Sequence, residues 1–272
     1  MVGCYEVVEK LIGLGQDVNC LGRKSVVPPL HLALYCDREA VVELLLRNGA
    51  DLNLANATGL TPLHIICKTE DNHHLGYMLF EITNKLNRHV QLEARDNVGN
   101  TPLHTAVVNN NMKLAELLLR KGANPNLANN KGETPLHIIC QGYYEGCAMA
   151  RLFFEIIDEK SQKVQVNARD KLGWTPLKWA VASLEATTNV NLLLNHGADV
   201  SSFVFPTERY LDKFVKSFEK IDSEELRFIP AVRAMAIIEH LGKRGYKLNE
   251  SDIEKIMPFF EKCKMFENLR IP

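Results

Sequence analysis

No stretch of this chain approaches the roughly eighteen consecutive apolar residues that a membrane-spanning helix requires. The N-terminus lacks a charged region, an apolar core and a cleavage site in that order, so no secretory signal is read there. Neither charge is in excess: 32 Lys and Arg against 33 Asp and Glu leave a formal net charge of −1. A nucleic-acid binder is expected to carry a clustered basic surface, and near neutrality argues against one. No glycine-rich phosphate loop is present; Gly197 and Gly242 stand alone. Tryptophan is confined to Trp174 and Trp179. The seven cysteines are odd in number and scattered. That usage fits reduced thiols in an intracellular protein, cytoplasmic or nuclear, better than a disulfide framework. What is present is ample core material: 272 residues, 46% of them hydrophobic, with no compositional sign of disorder.

Much of that material is repetitive. Thr-Pro-Leu-His occurs at Thr61–His64, Thr101–His104 and Thr134–His137, with weaker copies at Pro28–His31 and Thr175–Lys178. The copies begin at 28, 61, 101, 134 and 175, hence 33, 40, 33 and 41 residues apart. Each position has a physical job. Thr101 suits a helix N-cap, where its hydroxyl accepts an otherwise unpaired amide one turn on. Pro102 suits the first helical position, where a missing N–H costs nothing. Leu103, Ala106 and Val107 give the short helix a buried face. Leu114, Leu117 and Leu118 do the same for a second helix from about Lys113, which Gly122 ends. The polar, Asn-rich stretch that follows is expected to turn back as a finger. Pro28 cannot accept the capping bond, so the helix after it should start more weakly.

A period near 33 with this signature resembles the ankyrin-repeat family over residues 1 to about 200. The resemblance implies an all-α fold: an ankyrin-repeat solenoid of helix-turn-helix units with hairpin-like fingers, followed by a C-terminal helical cap. One unit cannot bury its apolar face alone, but stacked neighbours can. The expected domains are a solenoid over 1–200 and a helical tail over 201–272. Within the solenoid, a half repeat covers 1–19. Full repeats cover 20–53, 54–94, 95–126, 127–167 and 168–200.

The half repeat holds a second helix over 5–14 and lacks a first. The expectation is a shortened chain or gene product, or an exposed edge that meets a partner or a second copy. The long repeats at 54–94 and 127–167 match each other best, sharing Thr-Pro-Leu-His-Ile-Ile-Cys, so a two-repeat block is duplicated. Their second helices are predicted over 71–87 and 145–160, and residues 84–90 and 158–164 replace the usual Gly-Ala end. In the tail, Tyr210, Phe214, Phe218 and Ile221 share one helical face. Val232, Met235, Ile238 and Leu241 form another. Ser251 to Glu254 reads as a capping box, and Pro258 is expected to break or kink the last helix.

No chemistry emerges from the remaining polar residues. His64 with Cys67, and His137 with Cys140, have a spacing that supplies half a zinc site. Four ligands must meet in one place, however, and stacked repeats hold these pairs apart. The resemblance implies a structural histidine, its ring bonded to backbone of its own and adjoining repeats. Cys147 and His137 have nothing to activate a thiol. An enzyme is therefore not expected, nor a metal or a cofactor.

By the same resemblance the chain binds a protein partner through its finger tips and the exposed side of its first helices. The candidate contact residues are Asn56, Thr58, Asn97, Asn100, Asn130, Lys131, Glu133, Lys171, Trp174 and Lys178, with Trp174 and Trp179 as anchors. The expected role is a scaffold or inhibitor. The competing roles are an adaptor whose tail recruits a ubiquitin ligase and an assembly unit that self-associates through its N-terminal edge.

Overall fold

The computed structural model describes residues 2–20, 27–68, 73–142, 147–184, 187–207, 210 and 229–263. All regular structure among them is helical, and the chain divides into two compact units, Met1–Asn130 and Lys131–Pro272.

In the first unit, helix α1 (Val2–Gly13) precedes three helix pairs. These are α2 (Pro29–Tyr35) with α3 (Glu39–Arg47), α4 (Pro62–Lys68) with α5 (His73–Lys85), and α6 (Pro102–Val108) with α7 (Met112–Arg120). The short first helices pack on one another, α2 on α4 and α4 on α6. The second helices form their own row, α1, α3, α5 and α7 in order. Helix α1 thus takes a second-helix place, as its apolar spacing predicts. Buried Leu114, Leu117 and Leu118 show why α7 seats there: each fully buried leucine is worth about 1.5–3 kcal/mol relative to exposure.

In the second unit α8 (Pro135–Cys140) pairs with α9 (Cys147–Glu159), and α10 (Pro176–Ser183) with α11 (Thr187–Asn195). Helix α10 packs on α8, α11 on α9, and the tail helix α12 (Ile229–Lys243) on α11. The last helix, α13, runs Glu250–Lys262. The tail is fastened to the final repeat by Arg233 donating to the Leu184 carbonyl and Arg244 to that of Leu194.

Three expectations for the tail are corrected. On α12 the buried stripe is Ala231, Ala234, Ile237 and Leu241, whereas Val232 and Met235 are exposed. Alanines let α12 approach α11 closely, and the bulkier side chains are left outside. The capping box of α13 is Asn249 with Asp252, two residues earlier than read, because Asn249 supplies the extended backbone and the accepting oxygen. Pro258 does not end α13; buried Ile256, Phe259 and Phe260 hold the helix together across it. Of the expected stripe of Tyr210, Phe214, Phe218 and Ile221, the last three lie outside the described residues.

Two kinds of side chain fasten successive repeats. The first is the histidine of the repeated motif. His31, His64 and His137 place Nε2 2.9, 3.0 and 3.1 Å from the carbonyls of Leu60, Asn100 and Trp174, each just before or within the start of the next repeat's motif. A carbonyl only accepts, so Nε2 carries the proton and Nδ1 is bare. The Nδ1 of His64 and His137 accepts the backbone N–H of Thr61 and Thr134, at 3.2 and 3.1 Å. The threonine hydroxyls stand 2.8 Å from the same nitrogens. The imidazole therefore shares in the capping assigned above to threonine alone. The second is the asparagine that closes a repeat. Asn19, Asn53 and Asn167 each donate to a backbone carbonyl of the next repeat and accept a backbone N–H from it.

Candidate protein-binding surface

The finger tips are small loops built around one acidic or amide side chain. Asn56 Oδ1 accepts the N–H groups of Thr58 and Leu60 at 2.9 and 3.0 Å. Asp96 Oδ1 does the same for Val98 and Asn100 at 3.0 and 2.8 Å, and Asp170 Oδ1 for Leu172 and Trp174 at 2.9 and 2.8 Å. Each loop also closes through its backbone, as where Asp96 N–H donates to the Asn100 carbonyl at 3.0 Å.

Within the first unit the fingers are laced side by side. Asn97 donates through its backbone to Thr58 and through its side chain to Ala57. Asn130 repeats the pattern one finger on, to Val98 and Asn97. In the second unit Lys171 N–H donates to the Lys131 carbonyl at 2.9 Å. The lacing requires glycine behind each tip. Gly59 and Gly99 have φ of +79° and +81°, and an added Cβ would fall 2.7 and 2.6 Å from the next finger's backbone nitrogen. Any other residue there is strained twice, in its backbone angle and in its contact.

This geometry sorts the candidate contact residues. Thr58, Asn97, Asn130, Lys131 and Lys171 are exposed at the tips. Asn56 and Asn100 are half-buried and hold the fingers together, the latter by accepting from Asn129. Glu133 is buried and accepts from Gln141 at 2.7 Å. Trp174 is only 8% exposed, so it is packed inside rather than offered as an anchor. It packs at a tilt against Trp179 and Tyr210, with ring centroids 4.5 and 4.4 Å away. Lys178 is half-buried with its ammonium 4.6 Å from the Trp174 centroid.

Two further side chains within the same finger segments stand out. Val98 is 58% and Leu172 62% exposed, each directly before the glycine of its finger. They occupy the same tip position as Thr58 and Lys131. The alignment of the four copies of x-Gly marks this position, but nothing in the local sequence distinguishes an exposed tip leucine from a core one. In the first unit the tips are therefore neutral, and in the second they carry lysine.

The paired histidines and cysteines are not arranged for metal or nucleophilic chemistry. Both ring nitrogens of His64 and His137 are already bonded. Burial pushes the thiols of Cys67 and Cys140 well above their ordinary range, which keeps them protonated. Among the described residues no group of three or more metal-ligating side chains converges, and no helix is long and apolar enough to cross a membrane.

A family model of three ankyrin repeats matches residues 1–89, 30–129, 73–149 and 122–203. Over 137 residues the chain is 34% identical to neurogenic locus notch homolog protein 1 of Mus musculus, covering 49% of this chain and 5% of that protein. Over 172 residues it is 30% identical to transient receptor potential cation channel subfamily A member 1 of Homo sapiens, covering 63% and 15%. Over 138 residues it is 30% identical to the phosphocholine transferase AnkX of Legionella pneumophila, covering 50% and 14%. The chain spans no more than 15% of the length of any of these relatives.

Proposed function

We propose, from the premise that the chain belongs to the ankyrin-repeat family, that it is a non-catalytic, intracellular module that binds a protein partner as a scaffold or inhibitor. Ankyrin repeats are generally protein–protein interaction modules, and their stacking creates extended binding surfaces. The observation that carries the reading is the finger lacing. The backbone of each tip is fixed by its neighbours, while Thr58, Asn97, Val98 and Asn130 in one unit and Lys131, Lys171 and Leu172 in the other project outward. Fixing the loops before binding reduces the ordering cost of association. Exposed Val98 and Leu172 supply apolar contacts within a polar rim.

The test is affinity capture from cells with the tagged chain and with a Val98→Asp, Leu172→Asp variant of unchanged circular dichroism and melting temperature. Loss of at least tenfold of a stoichiometric partner supports the reading. Equal capture by the variant sinks it.

The tail offers a second reading, an adaptor that recruits a ubiquitin ligase. It is favoured by an apolar groove on α12 and α13 lined by Val232, Met235, Ile238, Ile253 and Met257. Val232→Asp with Met257→Asp should then lose ligase subunits and keep the finger-bound partner; absence of ligase subunits from the capture by the unaltered chain rejects the adaptor. A third reading is self-association through the outer face of α1, where Val7 and Leu11 are exposed. A mass in solution that does not rise with concentration removes it.

A further inference from the structure

We propose that the second unit holds an anion pocket that receives a phosphate or carboxylate group borne by a side chain of a protein partner. The site arises where the repeated motif departs from its pattern. Lys178 stands in place of histidine, and Thr175 still caps the helix, its hydroxyl accepting the Lys178 N–H at 3.3 Å. The Lys178 side chain lies over Trp174 instead of bonding to a following repeat.

It lines a cavity of about 290 Å³ shared with Asn167, Arg169, Thr175, Asp199 and Ser202. Arg169 is aimed by its bond to the Gly173 carbonyl at 2.9 Å and by Ser202 Oγ at 3.5 Å. The volume lies at the lower end of the ~300–1,000 Å³ of small-molecule sites, enough for a side-chain oxyanion rather than a nucleotide.

The charges around this cavity are unbalanced. Lys178 lies near enough to Arg169, and to Lys255 of α13, to be repelled by both. The Lys178 ammonium is held below its ordinary range, first by desolvation and then by Lys255 and Arg169, with Asp170 opposing them. Two carboxylates, Asp170 and Asp199 of the lining, offset part of this charge and leave the three cations one in excess. Asp170 is committed to the Trp179 indole N–H at 2.8 Å and to two finger amides. Asp199 is filled by the backbone and hydroxyl of Ser201 and the hydroxyl of Ser202. Among the described residues none of the three cations is in a salt bridge. A bound oxyanion supplies the remaining countercharge, with the Thr175 hydroxyl as an additional donor.

The two tryptophans of the chain report on this site, since Trp174 carries the Lys178 ammonium on its face and Trp179 packs beside it. Tryptophan emission of the full chain is followed on addition of inorganic phosphate or glutarate, against sodium chloride at matched ionic strength. A saturable change with phosphate or glutarate is expected. The tighter of the two identifies a phosphorylated or an acidic partner side chain. Lys178→Met and Lys178→His, the second restoring the usual residue, should each weaken the response at least tenfold while melting cooperatively. A response no greater than that of chloride, or one that persists in both variants, overturns the proposal. The readout does not involve the finger-tip apolar residues, so its failure leaves the protein-binding reading standing.

Discussion

At the scale of single residues, the N-terminal copy of the motif is an internal control. His31 is fully buried and bonds the Leu60 carbonyl like its counterparts, but its Nδ1 has no partner. The reason is visible in the sequence: Pro28 stands where the other copies have threonine, and proline has neither a hydroxyl nor an N–H to offer. An unsatisfied buried acceptor costs about 1–3 kcal/mol, whereas losing proline's restriction of the unfolded chain costs about 0.4–1 kcal/mol. Pro28→Thr is therefore expected to raise stability by about 0.5–1 kcal/mol, read as a higher urea midpoint at constant slope. A lowered midpoint would mean that water already satisfies Nδ1. The capping defect at Pro28 was legible from sequence alone. The stranded nitrogen was not, because it depends on how the next repeat orients the ring.

At the scale of elements, helix endings separate the long repeats from the short. The short ones end on glycine, as at Gly197 with φ +84°, and Ala198 N–H then reaches the Leu193 carbonyl at 2.9 Å. The long α9 makes the same closure from Gln162 to the Ile157 carbonyl at 2.9 Å, but with Ser161 at φ +49°. The missing Gly-Ala signal is plain in the sequence. What replaces it is not, since the left-handed turn is kept at the cost of about 1 kcal/mol or more for a residue with a Cβ. Ser161→Gly is expected to stabilise by about 0.5–1 kcal/mol and Gly197→Ser to destabilise by a similar amount. No heavy atom lies within 4 Å of a Cβ built at Gly197, so the effect there isolates backbone strain from crowding. Thermal melts of the two variants shifting in the same direction would show that the closure, not the angle, sets the helix end. The tail helices were less legible. A stripe such as Val232, Met235, Ile238 and Leu241 fits the helical period as well as Ala231, Ala234, Ile237 and Leu241 does. Periodicity cannot decide between two faces when the small one gives the closer approach. The binding surface was partly legible for a related reason: motif spacing located the fingers, but burial of Trp174 and exposure of Leu172 follow from packing around Asp170.

At the scale of the whole molecule, the repeated histidines make stability depend on pH. Burial lowers the affinity of His31, His64 and His137 for a proton, and their carbonyl bonds only partly oppose this. Protonation of His64 or His137 also sets a new N–H on Nδ1 against the threonine amide that it accepts. The unfolded chain takes up these protons below about pH 6.5, whereas the folded chain resists them. Their contribution to stability is thus complete above about pH 6.5 and falls as the pH drops toward the lowered folded value. Each histidine then removes at most about 2 kcal/mol between pH 7 and pH 5, the limit for a folded value far below 5. The first unit holds two of the three and the second holds one. Acid should therefore loosen α2–α5 more than α8, a difference of up to about 2 kcal/mol in opening free energy from these groups. Hydrogen exchange of the two sets of helices at pH 7 and pH 5, corrected for intrinsic rates, measures it. Equal losses in both would mean that the stacking histidines are not what acid attacks first.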